Sequence, residues 1–178
     1  MSEYKILFTG TMGAGKTTAI SAISEIPPVT TDVQNNDPSL HKDTTTVGLD
    51  YGELTLPGGE QLRLYGTPGQ QRFAFMWQIL AKGALGIVIL LDHSRPDPLA
   101  DLSIYLSNFA ELIASTGCVV AVGRLPLSAS SALDQYSKRL AEHGLICPVV
   151  RADVRDKAQV LGLLDLLLLQ LEHQVAPL

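Results

Sequence analysis

The strongest constraint on this chain is a glycine-rich segment near its start, between an apolar run and a helical pattern. Residues 10–17 read GTMGAGKT and match the pattern GxxxxGK[ST]. The run Tyr4–Thr9 predicts a strand before the segment, and Lys16–Glu25 predicts a helix after it. Such a turn lets consecutive backbone N–H groups face an anion at a helix N-terminus. The segment therefore predicts a phosphate-binding loop in an α/β fold.

The residue types in this loop suit the binding of a nucleoside triphosphate. Lys16 offers a positive charge to the β- and γ-phosphates, and we expect it to be an exposed ligand. Thr17 offers its hydroxyl oxygen to Mg²⁺, the expected cofactor. The remaining loop residues expected to contact the nucleotide are Met12, Gly13, Ala14, Gly15 and Thr18. The alternative, a glycine-rich turn with a surface lysine, is disfavoured by the predicted flanks.

The rest of the chain alternates short apolar runs with helical patterns. Strands are predicted at Tyr4–Thr9, Thr45–Glu53, Gln61–Tyr65, Ala84–Leu91, Cys118–Val122 and Pro148–Arg151, and helices at Lys16–Glu25, Phe75–Ala81, Leu99–Ser115, Ser131–His143 and Asp156–Glu172. This alternation predicts a six-stranded, mainly parallel sheet with helices on both faces and ligands at the carboxyl ends of the strands.

Two segments interrupt the alternation. The turn cluster PGG at residues 57–59 predicts one antiparallel hairpin at the sheet edge. The polar segment Pro27–Thr44 lacks periodicity and predicts a mobile loop.

Composition narrows the setting of the protein. A chain of 178 residues fits a single domain over residues 1–178. Its 18 acidic and 13 basic residues give a net charge of −5, so no nucleic-acid partner is expected. Cys118 and Cys147 lack metal-site spacing, which favours a reducing cytoplasm. The leucine-rich segment near the end contains Asp165 and Glu172 and predicts a buried helix; with no signal or lipidation motif, we expect no intrinsic membrane anchor.

Three further segments resemble the motifs of small GTPases. Residues 67–73 (TPGQQRF) resemble the DTAGQERF motif of switch II in Ras-like proteins, and residues 46–51 (TVGLDY) resemble the TIGVDF stretch that ends switch I. Residues 82–92 resemble the end of the second helix and the fourth strand of that fold. The order of the segments agrees with the small GTPase fold from residue 4 to about residue 175. The amino-acid sequence of these motifs looks most like that of the bacterial Ras-like GTPases of the gliding-motility polarity and conservon types.

This resemblance implies a GTP-binding molecular switch that hydrolyses GTP slowly in bacterial signalling or cell polarity. It implies that Gln70 orients the attacking water, that Gly69 senses the γ-phosphate and that Thr46 ligates Mg²⁺, although Thr44 and Thr45 leave that register open. The implied partners are GDP or GTP and a protein effector or regulator, with a roadblock-type protein as the candidate. The Pro27–Thr44 loop and the aromatic residues Phe73, Phe75 and Trp77 are the expected contact surface.

Two departures from the GTPase pattern concern the metal and the γ-phosphate. Gly66 stands where the family has the aspartate that holds Mg²⁺ through water. Asp92 or Asp50 is a candidate to compensate, and the alternative roles are a helix cap and a hairpin surface charge, respectively. Met12 is bulky for its loop position and is expected to crowd an arginine finger from a partner. Arg72 is a candidate finger from the chain itself, with a surface arginine as the alternative.

A third departure concerns the nucleobase. Where guanine-binding proteins have NKxD after the fifth strand, this chain has GRLP, so Pro126 replaces the aspartate that reads guanine. Arg124 is expected to lie over the base, and backbone groups of Ala152 and Asp153 are expected to contribute to base choice.

The sequence is also compatible with two other functions. The altered residues also suit a degenerate GTPase that acts as a scaffold subunit. The loop alone suits a P-loop small-molecule kinase, although no arginine-rich lid segment accompanies it.

Overall fold

The chain forms a six-stranded sheet, seen in a computed structural model that describes residues 2–30, 32–34, 44–46 and 50–175. The strands are β1 Glu3–Gly10, β2 Asp32–Gln34, β3 Thr44–Thr46, β4 Asp50–Thr55, β5 Gln61–Gly66, β6 Ala84–Asp92, β7 Gly117–Gly123 and β8 Val149–Arg151. The helices are α1 Lys16–Ile23, α2 Ala74–Ala81, α3 Pro98–Asn108, α4 Ala110–Ser115, α5 Leu133–Glu142 and α6 Lys157–Val175. Short 3₁₀ turns cover Gln71–Phe73 and Leu127–Ala132.

The order of strands across the sheet is β4-β5-β1-β6-β7-β8. The β4–β5 pair at one edge is antiparallel, and the other pairs in this sheet are parallel. The prediction of a mainly parallel sheet with one antiparallel edge hairpin is therefore confirmed. Because parallel strands point the same way, the carboxyl ends of β1, β6, β7 and β8 meet at one edge, where ligands bind in such folds.

Helices cover both faces of the sheet, and each face has its own apolar core. On β1, Ile6 and Phe8 point to the face covered by α1 and α6, whereas Leu7 points to the face covered by α2, α3, α4 and α5. These three side chains have no solvent exposure. Alternation within a fully buried strand explains why β1 is apolar throughout.

The predicted strand Thr45–Glu53 corresponds to two described strands in different sheets. β3 Thr44–Thr46 pairs with β2 Asp32–Gln34 in a two-stranded sheet, whereas β4 begins at Asp50 in the main sheet. The pairing of Asp32–Gln34 also places a strand within the predicted Pro27–Thr44 loop. Most of the predicted mobile loop, residues 31 and 35–43, lies outside the described residues, as do residues 47–49 between β3 and β4.

The predicted helix Leu99–Ser115 is divided in two at Phe109. Phe109 has φ −113° and ψ 18°, outside the helical region, and separates α3 from α4. Its side chain is 1% exposed and its ring stacks on that of Trp77, with 6.0 Å between centroids. Burial of this large ring against Trp77 accompanies the break, and helical periodicity in the sequence does not reveal it.

The leucine-rich terminal segment forms the predicted packed helix. Leu163, Leu164 and Leu167 of α6 are buried in the core beneath the sheet. No helix within the described part of the chain is both long enough and apolar enough to cross a membrane.

Candidate nucleotide-binding site

A cleft of about 920 Å³ opens at the carboxyl edge of the sheet. The residues expected to bind nucleotide all line it: Met12, Gly13, Ala14, Gly15, Lys16, Thr17, Thr18, Gly69, Arg124, Ala152 and Asp153. They come from the start of α1 and from the loops that follow β1, β5, β7 and β8. The topology thus brings together residues separated by more than 100 positions in the chain.

The glycine-rich loop has the backbone geometry of an anion cradle. Gly13 and Gly15 have positive φ values of 83° and 103°, in the region that favours glycine. The Ala14 N–H donates to the Thr11 carbonyl at 3.0 Å and tightens the loop. Helix α1 begins directly afterwards at Lys16, so its first N–H groups and the positive end of its dipole face the cleft.

Lys16 is folded over the loop that precedes it. Its Nζ donates to the carbonyl oxygens of Gly10 at 2.7 Å and Thr11 at 2.9 Å. The residue is only 7% exposed, so the expectation of an exposed lysine is wrong. Since both carbonyls belong to the loop itself, the ammonium group is held at the position from which it can exchange carbonyl oxygens for phosphate oxygens.

The segment after β5 lies directly against the glycine-rich loop. A Cβ placed on Gly69 would lie 2.6 Å from the Met12 backbone nitrogen and 3.1 Å from Lys16 Nζ. Gln70 Nε2 donates to the Met12 sulfur at 3.8 Å. Gln70 is not among the residues that line the cleft, and its amide contacts the side chain of Met12 in the glycine-rich loop.

The aromatic residues after Gln70 separate into buried and exposed members. Trp77 is fully buried, and its Nε1 donates to the Pro68 carbonyl at 2.7 Å, which fixes the start of this segment. Trp77 therefore does not belong to the expected contact surface, whereas Phe75 is 66% exposed. The Arg72 guanidinium lies over the Phe73 ring, 4.8 Å from its centroid, and Arg72 does not line the cleft.

Three oxygen-bearing side chains converge beside α1. Thr17 Oγ1 donates to Asp50 Oδ2 at 2.7 Å, and Thr30 Oγ1 donates to Asp50 Oδ1 at 3.0 Å. Asp50 is 1% exposed, and all three residues line the cleft. The sequence resemblance makes Asp50 a candidate, but it gives no role to Thr30, because a threonine after Pro28 and Val29 belongs to no recognisable motif. Thr46 is described only by its backbone, which pairs with Asp32.

Asp92 belongs to an ion pair at the other end of the cleft. The Arg124 guanidinium donates to the Asp92 carboxylate and, at 3.3 Å, to the Gly13 carbonyl. Burial alone would raise the pKa of Asp92, but hydrogen bonds from Ser94 and the charge of Arg124 hold it below its ordinary value. Arg124 has φ 54°, unusual for a non-glycine residue, and this backbone turn directs the guanidinium across the loop.

The backbone groups expected to contact the base already donate within the chain. The Ala152 N–H donates to the Val122 carbonyl at 3.1 Å, and the Asp153 N–H donates to Gln159 Oε1 at 2.8 Å. The Asp153 carboxylate accepts two hydrogen bonds from the Arg155 guanidinium, which lower its pKa to about 2. No side chain from positions 123–126 supplies a carboxylate there, since that segment reads GRLP.

No cluster of three or more histidine, cysteine, aspartate or glutamate residues capable of holding a metal ion occurs in the part of the chain that the structure describes. A divalent cation at this cleft would depend on the oxygens of Thr17 and Asp50 together with oxygens of a bound phosphate. Hydroxyl, carboxylate and phosphate oxygens are the ligands that Mg²⁺ prefers, so the donor set fits this ion.

A glycine-rich loop between a strand and a helix, at the carboxyl edge of a mainly parallel sheet, defines the P-loop NTPase fold. More particularly, the chain belongs to the family described as conserved hypothetical ATP binding proteins, whose model matches residues 29–165. The matched region includes the loops after β5, β7 and β8 and begins after the glycine-rich loop.

Three curated proteins are similar to parts of this chain, and two of them have GTPase-related names. A GTP-binding protein, ypt4, of Schizosaccharomyces pombe is 29% identical over 67% of this chain and 49% of its own length. The Ras-related protein Rab-10 of Diplobatis ommata is 28% identical over 61% of this chain and 50% of its own length. An uncharacterized protein of Methanocaldococcus jannaschii is 34% identical over 52% of this chain and 53% of its own length. This chain spans about half the length of these relatives.

Proposed function

We propose that the protein is a GTP-binding molecular switch that hydrolyses GTP slowly. The observation that carries this proposal is the position of Gly69, where an added Cβ would lie 2.6 Å from the Met12 nitrogen and 3.1 Å from Lys16 Nζ. A γ-phosphate entering beside Lys16 would meet the segment that follows β5 first. The position of that segment would then depend on whether a diphosphate or a triphosphate is bound.

The phosphates would be held by the loop and by α1. Lys16 would exchange its bonds to the Gly10 and Thr11 carbonyls for bonds to phosphate oxygens. The loop N–H groups and the positive end of the α1 dipole would further stabilise the negative charge of the phosphates. When bound, Mg²⁺ would neutralise phosphate charge, and Thr17 would supply its hydroxyl oxygen to it, with Thr46 retained as a further candidate ligand.

Gln70 is the proposed catalytic residue, since it follows Gly69 at the edge of the cleft. Its amide contacts the Met12 sulfur, which is 3.8 Å away, so it must leave this contact to orient water at the γ-phosphate. Because the Gln70 amide is not already positioned to orient water, slow hydrolysis is expected.

GTP is the proposed nucleotide on the basis of the Ras-like relatives, although the family description names ATP. Arg124 lies across the loop and is the proposed support for the sugar and base. No described side chain at positions 123–126 offers guanine a pair of acceptor oxygens, so we propose weak base discrimination. ATP is the second candidate ligand of the same cleft.

The proposed role is in bacterial signalling or cell polarity within the cytoplasm, with a protein effector or regulator of the roadblock type. Exposed apolar side chains on α2 support a protein contact near the segment that follows β5. Phe75 is 66% exposed and Ile79 is 61% exposed. They lie one helical turn apart on α2, so they share one face.

Mass spectrometry of the nucleotide released from protein purified without added nucleotide tests this proposal, with Lys16→Ala as its control. GDP or GTP from the wild type alone would support the switch. ATP alone would support the second candidate. If no nucleotide were released and titration with GDP, GTP and ATP showed no binding, the result would favour a scaffold subunit. Transfer of the γ-phosphate to a small molecule would instead favour the kinase.

A further inference from the structure

Asp50 is a buried carboxyl whose described partners are hydroxyl groups. It accepts one hydrogen bond from Thr17 Oγ1 on Oδ2 and one from Thr30 Oγ1 on Oδ1. Among the described residues it forms no ion pair. A buried carboxylate is costly without a compensating positive charge. A cation at the cleft would supply that charge.

Other acidic residues in the cleft already have cationic partners. Asp92 pairs with Arg124, and Asp153 pairs with Arg155. Asp50 is the carboxyl among the described cleft residues that touches Thr17, the threonine that ends the glycine-rich loop. Because Thr17 donates its proton to Asp50, the lone pairs of the Thr17 oxygen remain available to a cation.

Gly66 explains how Asp50 reaches this place. The two residues stand directly opposite each other in the antiparallel β4–β5 pair. A Cβ on Gly66 would lie 2.9 Å from Asp50 Cβ and 3.0 Å from Asp50 Oδ2. Gly66 does not have a positive φ, so the position needs glycine for space and not for backbone conformation. Only one of the two positions has room for a side chain.

We propose that Asp50 is the carboxylate that holds the divalent cation at the nucleotide phosphates, in the place that the GTPase resemblance assigns to position 66. The carboxylate has moved across one cross-strand pair, and the loss of the side chain at position 66 accommodates it. Thr30 acts as a positioning residue, because its hydroxyl fixes the second oxygen of Asp50. This inference rests on the proposed nucleotide binding and deepens it.

The test is the Mg²⁺ dependence of GDP binding in wild type and Asp50→Asn. GDP affinity is measured by titration in EDTA and across a Mg²⁺ series, and direct binding of Mn²⁺ to the GDP complex is followed by electron paramagnetic resonance. We expect the GDP complex of Asp50→Asn to bind the metal about 10–100-fold more weakly than that of wild type, a loss measured directly by Mn²⁺ binding. Asp165→Asn, an exposed carboxyl on α6, is the matched control and should match wild type.

A second variant exchanges the aspartate and the glycine between positions 50 and 66. Asp50→Gly combined with Gly66→Asp removes the atoms that a Gly66 side chain would meet on Asp50 and leaves Ile20 Cδ1, a flexible end, at 3.2 Å. We expect this double variant to recover metal affinity relative to Asp50→Asn. If Asp50→Asn fails to fold, the double variant is compared with wild type, and Mn²⁺ binding to its GDP complex is expected to be retained.

The outcomes separate the two proposals. Metal affinity unchanged in Asp50→Asn would overturn the role of Asp50 while leaving nucleotide binding intact. A double variant that folds and binds Mn²⁺ no better than Asp50→Asn would overturn the shared position. Absence of GDP binding by wild type in both EDTA and Mg²⁺, with GTP and ATP equally inert, would overturn both proposals.

Discussion

Gly69 lies so close to Met12 that a side chain at position 69 would come within 2.6 Å of the Met12 backbone nitrogen. The neighbouring atom is backbone, not the end of a flexible side chain, so it cannot move aside without moving the loop. The glycine-rich loop and the segment after β5 are therefore mechanically coupled. A displacement of either one changes the space available at the other.

The first prediction follows from this contact. Gly69→Ala should push the segment and the glycine-rich loop apart, lowering the free energy of unfolding by about 1–3 kcal/mol and weakening GTP binding. Thermal unfolding and nucleotide titration measure the two effects. Gly162→Ala is the matched control, because Gly162 in α6 has no neighbouring atom within 4 Å of an added Cβ. That control should be neutral or stabilising by about 0.5–1 kcal/mol. Equal behaviour of the two variants would contradict the coupling.

Lys16→Ala is the second prediction. The variant should lose nucleotide binding, because the point charge for the phosphates is removed. It should also lower the free energy of unfolding by about 1–3 kcal/mol, since the Gly10 and Thr11 carbonyls lose their buried donor. Calorimetric titration with GDP and denaturant unfolding are the measurements. Lys138→Ala, an exposed residue on α5, controls for loss of a charge. Unchanged GDP affinity in Lys16→Ala would contradict the phosphate-binding role.

Base selectivity provides the third prediction. Sites that hydrogen-bond a ligand with buried polar groups reject analogues by about 10⁴–10⁵. With Pro126 in place of a carboxylate and the Ala152 and Asp153 N–H groups engaged, GTP should be preferred over ATP and XTP by much less. Competition of the three nucleotides for a fluorescent GDP measures this preference. A preference as sharp as that of an intact guanine reader would show that other groups recognise the base.

Local features of the site were predictable from sequence, since their signals are local. The glycine-rich loop and its flanking strand and helix derive from contiguous patterns, and the order of strands places the expected nucleotide-binding residues at one edge of the sheet. The burial of Lys16 was not predictable, because the same side chain can reach solvent or its own loop. The fold decides between these positions by tertiary contacts.

Features that depend on long-range pairing were missed or left open. The bond from Thr17 to Asp50 joins residues 33 positions apart, and its partner Thr30 lies outside any motif. The sequence offers both Asp50 and Asp92 as candidates to compensate for Gly66, and only the tertiary structure shows that Asp92 pairs with Arg124. The break at Phe109 accompanies packing of its ring on Trp77, a tertiary contact that helical periodicity does not detect.

The fourth prediction concerns turnover by Gln70. Intrinsic hydrolysis should be slow, at about 10⁻⁴ s⁻¹ or below, because Gln70 must leave Met12 before it can orient water. Gln70→Leu should slow hydrolysis further without weakening GTP binding, since the amide acts mainly in the transition state. Single-turnover hydrolysis across a Mg²⁺ series measures the rate, and GTP titration measures the affinity. Gln135→Leu, an exposed glutamine on α5, controls for the loss of an amide. Equal rates for wild type and Gln70→Leu at saturating Mg²⁺ would remove Gln70 from the mechanism. Because the P-loop would then bind nucleotide without a water-orienting residue, that result would favour the scaffold subunit.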